Sequence, residues 1–171
     1  MTEKIPTQER SHTLYWQDPM LGAQMAKTMS GMDYLQAMAR GEIPAAPIAV
    51  LMNMQPIEVE PGRVVFSANP AEYHYNPIGT VHGGFAATVL DSALGCAVHS
   101  TLPAGTGYST AELHVNYIRP ITAKTGELRC EGKVIHAGKR VATAEARLTD
   151  ASGKLYAHAT TTCLIVASEG E

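Results

Sequence analysis

The stretch NPIGTVHGGFAATVLDSALG, Asn76 to Gly95, holds the residues best suited to chemistry. Asn76-Pro77 and Gly79 mark a turn. His82-Gly83-Gly84 comes next. After it Ala87, Leu90, Leu94, Ala97 and Val98 recur at the spacing of a helix. Paired glycines at a helix start let a ligand approach the backbone with no Cβ in the way. The first N–H groups of that helix lack intrahelical partners and carry the positive end of its dipole. Such an end suits a carbonyl oxygen gaining negative charge under attack. Asp91 lies about two turns further on, too deep to cap the helix. Its neighbours are Leu90, Ala93 and Leu94, and an ionised carboxylate among them is costly without partners or a wet cleft. Carboxylates kept in such places are often functional. Gly84, Thr88, Asp91 and Gly95 fall on one narrow stripe of the helix, where Gly84 and Thr88 become candidates for touching substrate. A merely solvated Asp is disfavoured, because the helix has almost no other charge to make a solvated face.

The elements that position this stretch follow from the pattern on either side. Residues 1 to about 17 are polar and aperiodic, an extended arm. Asp18-Pro19 reads as a helix start. From Met20 to Arg40 the apolar positions repeat every three or four, with a break expected at Ser30-Gly31. This segment is suited to shield a sheet edge or to form part of an acyl pocket. Gly41 to Pro47 is a linker. From Ile48 the period shortens, and Ile57, Val59, Val64 and Phe66 alternate about Pro61-Gly62, a hairpin signal. After the central helix come four β segments, 108–118, 126–136, 140–149 and 154–166, joined by short turns that imply antiparallel neighbours. The expected class is α+β, a curved antiparallel sheet wrapped around one long helix. The expected division is an N-terminal arm and helical extension, 1–47, followed by the sheet domain, 48–171.

Composition narrows the partners. Lys and Arg total 13 against 16 Asp and Glu, which argues against nucleic acid. Apolar residues at 45% and charged ones at 17% exclude wholesale disorder. Cys96, Cys130 and Cys163 are too far apart for a metal pattern and point to a reducing compartment. No signal peptide and no membrane-spanning run is read, so a cytoplasmic location is expected. Cys96 and His99, three apart, invite a thiol dyad, but a cysteine in an apolar helix is usually inert packing. His74 and Tyr75 read as loop residues on the surface. His114, His136 and His158 show no ligand spacing, and no metal is expected.

Together, NPxGxxHGGxxxxxxD, the strand STAELHVNYIRP and the hairpin GKRVATAEARLTDASGKLYAHATTTC resemble the hotdog-fold acyl-CoA thioesterases of the phenylacetate-pathway (PaaI) type. The resemblance covers roughly residues 48 to 166. It implies a homodimer, often paired again into a tetramer, with active sites shared between subunits. It implies that Asp91 is general base or nucleophile, and that the Gly83 amide of the opposite subunit polarises the thioester carbonyl. His82 would position the loop and the sulfur side, and Asn76 would lie near the leaving thiolate or the water. Ser109 falls where some members carry a hydroxyl that assists the Asp. Arg119, Lys139 and Arg140 become candidates for coenzyme A phosphates. No cofactor is implied beyond the coenzyme A of the substrate. Two other readings compete: a non-catalytic acyl-CoA sensor, and a hotdog dehydratase or hydratase.

Overall fold

The central helix, α4, runs from Gly83 to His99 in the structure, a computed structural model that describes residues 8–167. It forms where the sequence pattern puts it. Phe85, Val89, Leu90, Ala93, Leu94, Ala97 and Val98 are all buried, so the helix is apolar nearly all round. A helix of that kind must be enclosed, and a curved antiparallel sheet encloses it. The strands are β1 (Met54–Glu60), β2 (Arg63–Ala68), β3 (Thr106–Tyr117), β4 (Leu128–Ala137), β5 (Val141–Asp150) and β6 (Leu155–Ala167). This is the hotdog arrangement, and the four later strands match the expected segments to within two residues at each end.

Strand alternation decides which side meets the helix. On β5 Ala142, Ala144, Ala146 and Leu148 are buried while the residues between them are not. Small side chains there let the helix settle close. The approach is tightest at β4, where a Cβ on Gly132 would stand 2.3 Å from the Ala93 carbonyl oxygen. On the outer face Arg63 binds Glu58, Glu60 and Glu131, and Arg129 binds Glu58.

The order across the sheet is β1-β2-β4-β5-β6-β3. β3 precedes β4 in the chain but lies on the far edge, paired among the described residues only with β6. Its link to β4 therefore crosses the end of the sheet. There the Val81 N–H donates to the Ile121 carbonyl and ties the link to the loop before α4.

Among the described residues three helices precede the sheet, the first two being α1 (Pro19–Thr28) and α2 (Gly31–Ala39). Asp18 caps the first, accepting from the Met20 N–H, and Ser30 caps the second, accepting from the Asp33 N–H. The break expected at Ser30-Gly31 is there. Leu35 of α2 is buried in the same core as Leu90 and Leu94. One element differs from the reading of the sequence: Pro47–Leu51 is a short helix, α3, and not the approach to a strand. Pro47 at its first position presets the backbone angle for a helical turn. The described part of the N-terminal arm, residues 8–18, has no regular structure.

Candidate active site

The loop before α4 is tied down from three sides. Asn76 Oδ1 accepts from the N–H groups of Ile78 and Thr80, and its Nδ2 donates to Thr80 Oγ1 at 3.0 Å. The asparagine thus builds the turn that presents His82. His74 was expected on the surface, yet it is 8% exposed and structural. Its Nδ1 accepts from the Ala71 N–H at 3.0 Å, which leaves Nε2 to donate to the Leu51 carbonyl at 2.9 Å. Both bonds need the neutral ring, and burial lowers its pKa in the same sense. Its carbonyl also receives the His82 N–H at 2.8 Å. Nothing in local pattern announces this histidine, because its partners are brought by α3 and by the turn at Ala71.

His82 is the N-cap of α4, and its Nδ1 accepts from the Gly84 N–H at 2.8 Å. That bond occupies one of the two glycine amides. The Gly83 N–H has no partner among the described residues. The sequence offers two glycine donors, and the fold leaves one free, at the positive end of a 17-residue helix. This amide opens on a cleft of about 360 Å3 lined by Asn76, His82, Gly83, Tyr117 and Arg119. The Tyr117 ring comes so near that a Cβ on Gly83 would lie 3.3 Å from it. Arg119 stands on the cleft wall with its guanidinium donating to the Leu155 carbonyl. Gly84 and Thr88 face a different groove, of about 450 Å3, together with His82, Leu51 and Tyr73. The Thr88 hydroxyl is spent within the helix, on the Gly84 carbonyl at 2.8 Å.

Asp91 is eight residues beyond Gly83 on the same helix, about 12 Å along its axis. One chain therefore does not bring this carboxylate to its own free amide. Asp91 is half-buried and accepts from Thr110 Oγ1 at 3.0 Å. Ser109 is on the other face of β3, exposed and paired with Leu164. The register explains the exchange. β3 has a shift between Thr110 and Glu112, so Tyr108 and Thr110 share the helix-facing side with Leu113, Val115 and Tyr117. A bulge of that kind reverses strand parity. Counted straight back from Leu113, alternation would turn Ser109 inward instead.

Lys139 and Arg140 occupy the β4–β5 turn, exposed, with no ion pair among the described residues. Pairing of Val141 with Leu164, and of Leu164 with Ser109, puts that turn at the Asp91 end of the sheet. Arg119 is at the opposite end. The Cys96–His99 dyad does not form. Burial pushes the Cys96 thiol up to about 12, and His99 Nδ1 has no hydrogen-bond partner among the described residues.

Residues 78–157 match the family model described as the thioesterase superfamily. Human acyl-coenzyme A thioesterase 13 is 34% identical over 110 residues, covering 63% of this chain and 76% of that protein. The chain belongs to the thioesterase superfamily and is a thioester hydrolase. Within that class it is similar in structure to a phenylacetic acid degradation-related protein of Ralstonia eutropha JMP134. The identity is 31% and the TM-score 0.70, covering 77% of this chain and 98% of that one. A Halobacterium salinarum protein is 42% identical over 69 residues, 39% of this chain and under half, 44%, of that relative. Among the described residues no helix is long and apolar enough to cross a membrane.

Proposed function

We propose that the protein is an acyl-CoA thioesterase working as a homodimer, two chains being needed for one site. The observation that carries this reading is the Gly83 N–H, left free at the α4 start while His82 occupies its neighbour. Such a donor stabilises the oxyanion of a thioester under attack. The carboxylate must then come from a second copy, since Asp91 of the same chain is about 12 Å away.

The edge position of β3 supports that assembly. A 12-residue edge strand carries a row of backbone donors and acceptors suited to another strand. Antiparallel self-pairing about its middle sets the Thr110 half of one copy beside the Tyr117 half of the other. Thr110 holds Asp91, and Tyr117 lines the Gly83 cleft. A two-fold axis then makes two equivalent sites, each with an acid from one chain and an amide from the other. Two such dimers pairing again would give the tetramer.

In the proposed reaction Asp91 takes a proton from water whose oxygen bonds to the thioester carbon, or Asp91 itself bonds to that carbon and the anhydride formed is then hydrolysed by water, which frees the acid and restores the carboxylate. The carbonyl oxygen gains charge against Gly83, the C–S bond breaks, and the coenzyme A thiolate leaves. Acid, water and amide suffice for these steps, so no further cofactor is invoked. Arg119 is the phosphate candidate on the cleft wall, and Lys139 and Arg140 of the second copy are the others. The three free cysteines accord with a cytoplasmic location. The proposed catalytic unit is 48–171, with 1–47 as its extension.

Thiol release from a panel of acyl-CoAs tests the reading. Asp91→Ala is expected to lower kcat by roughly 10²- to 10⁴-fold. Undiminished turnover in that variant would remove Asp91 from the mechanism. Binding of acyl-CoA with no release by the wild type would favour the sensing role.

A further inference from the structure

At the far end of the Asp91 stripe the helix has a gap. Gly95 lies about one turn beyond the acid. A Cβ there would stand 2.3 Å from the Tyr108 hydroxyl oxygen and 2.6 Å from a ring carbon. The Tyr108 ring thus rests directly on the helix backbone, in the space a side chain at 95 would take. Thr88 stands one turn to the other side of Asp91. Toward Gly95 the stripe therefore ends against the Tyr108 ring.

The same ring borders a groove of about 340 Å3 that opens to the surface. Its wall includes Ala26 and Lys27 of α1, His99, Thr106, Tyr108 and Val166. The volume is at the low end for a small-molecule pocket. His99 joins the two sides, with ring centroids 5.7 Å from Tyr108 and 5.8 Å from Tyr34 of α2. It is 9% exposed, and its Nδ1 is buried and unpaired among the described residues. An unsatisfied buried nitrogen on a groove wall calls for an explanation that apolar packing does not give.

We propose that Tyr108 is the wall that sets acyl length in this thioesterase, and that the groove beyond it, bordered by Ala26 and Lys27 of α1, joins the acyl site only when that ring is removed. This rests on Asp91 being the working acid. From Asp91 to Gly95 the helix rises about 6 Å. An extended chain advances about 1.3 Å per bond, so roughly four or five bonds fit before the ring. The preferred substrates are short acyl groups, up to about six carbons by that measure.

The experiment is kcat/KM by thiol release on straight-chain acyl-CoAs of increasing length, with the full chain. For the wild type a fall of about tenfold or more is expected past roughly six carbons, the size of penalty a pocket gives for an excess methylene. Tyr108→Ala is expected to regain at least about tenfold on the longer chains, with the shortest little changed. Tyr108→Phe should keep the wild-type profile, since ring volume and not the hydroxyl sets the limit. Tyr108→Leu, which keeps the core apolar, carries the same test at smaller amplitude if the alanine variant does not fold. A wild type without a length limit, or a folded alanine or leucine variant with the wild-type profile, would overturn the proposal. A wild type that releases no thiol from any acyl-CoA would instead overturn the thioesterase reading itself.

Discussion

Replacing Thr110 by valine removes one hydroxyl and keeps the β-branched shape that suits a strand. What is lost is the 3.0 Å bond from Oγ1 to the Asp91 carboxylate. A hydrogen bond to a charged group contributes about 1.5–3 kcal/mol, and the lower end applies because Asp91 is only half-buried. At about 1.4 kcal/mol per factor of ten, the expected loss in kcat is roughly tenfold. The bond orients the acid and does not touch coenzyme A, so KM is expected to change little. Thr110→Ser retains the hydroxyl and should recover most of the rate. Ser109→Ala, on the exposed face opposite Leu164, should leave kcat within about twofold. Steady-state thiol release on the three variants decides the matter. If Thr110→Val turns over like the wild type while Ser109→Ala is slow, the inward assignment of Thr110 is wrong, and so is the parity argument behind it.

Two further outcomes are expected. Gly132→Ala puts a Cβ 2.3 Å from the Ala93 carbonyl, and since both sides are backbone the helix must shift; the cost is about 1–3 kcal/mol, read as a lower Tm. Burial holds the pKa of His74, and likewise that of His99, below the ordinary 6.5. As pH falls the unfolded chain takes up these protons first, so the stabilisation is complete above 6.5 and is lost as pH falls through the depressed folded values. Thermal melts across about pH 5 to 8 should show Tm falling on the acid side, and the fall should be smaller in His74→Gln. A slope unchanged by that substitution would count against His74 as its source.

The central helix was legible because it obeys local rules. Its period is 3.6, its start carries glycines, and its apolar surface demands a cover. The capped starts of α1 and α2 are equally local, since Asp18 and Ser30 each bond within three residues of themselves. The motif from Asn76 to Asp91 also read correctly as a turn, a helix start and an acid two turns on. His74 did not, because its burial and its bond to the Leu51 carbonyl arise only when α3 and the loop before α4 come together, although its other partner, the Ala71 N–H, is three residues away.

What the sequence determined by itself is the set of elements and the chemistry of one helix, because propensity, capping and hydrophobic period act over a few residues. What only the tertiary structure decided is where those pieces meet. It sends β3 past β4, β5 and β6 to the sheet edge, and a one-residue register shift turns Thr110 toward Asp91 in place of Ser109. It lets His82 take one glycine amide and leave the other open. Strand order and register depend on contacts between residues far apart in the chain, and no short window of sequence contains them.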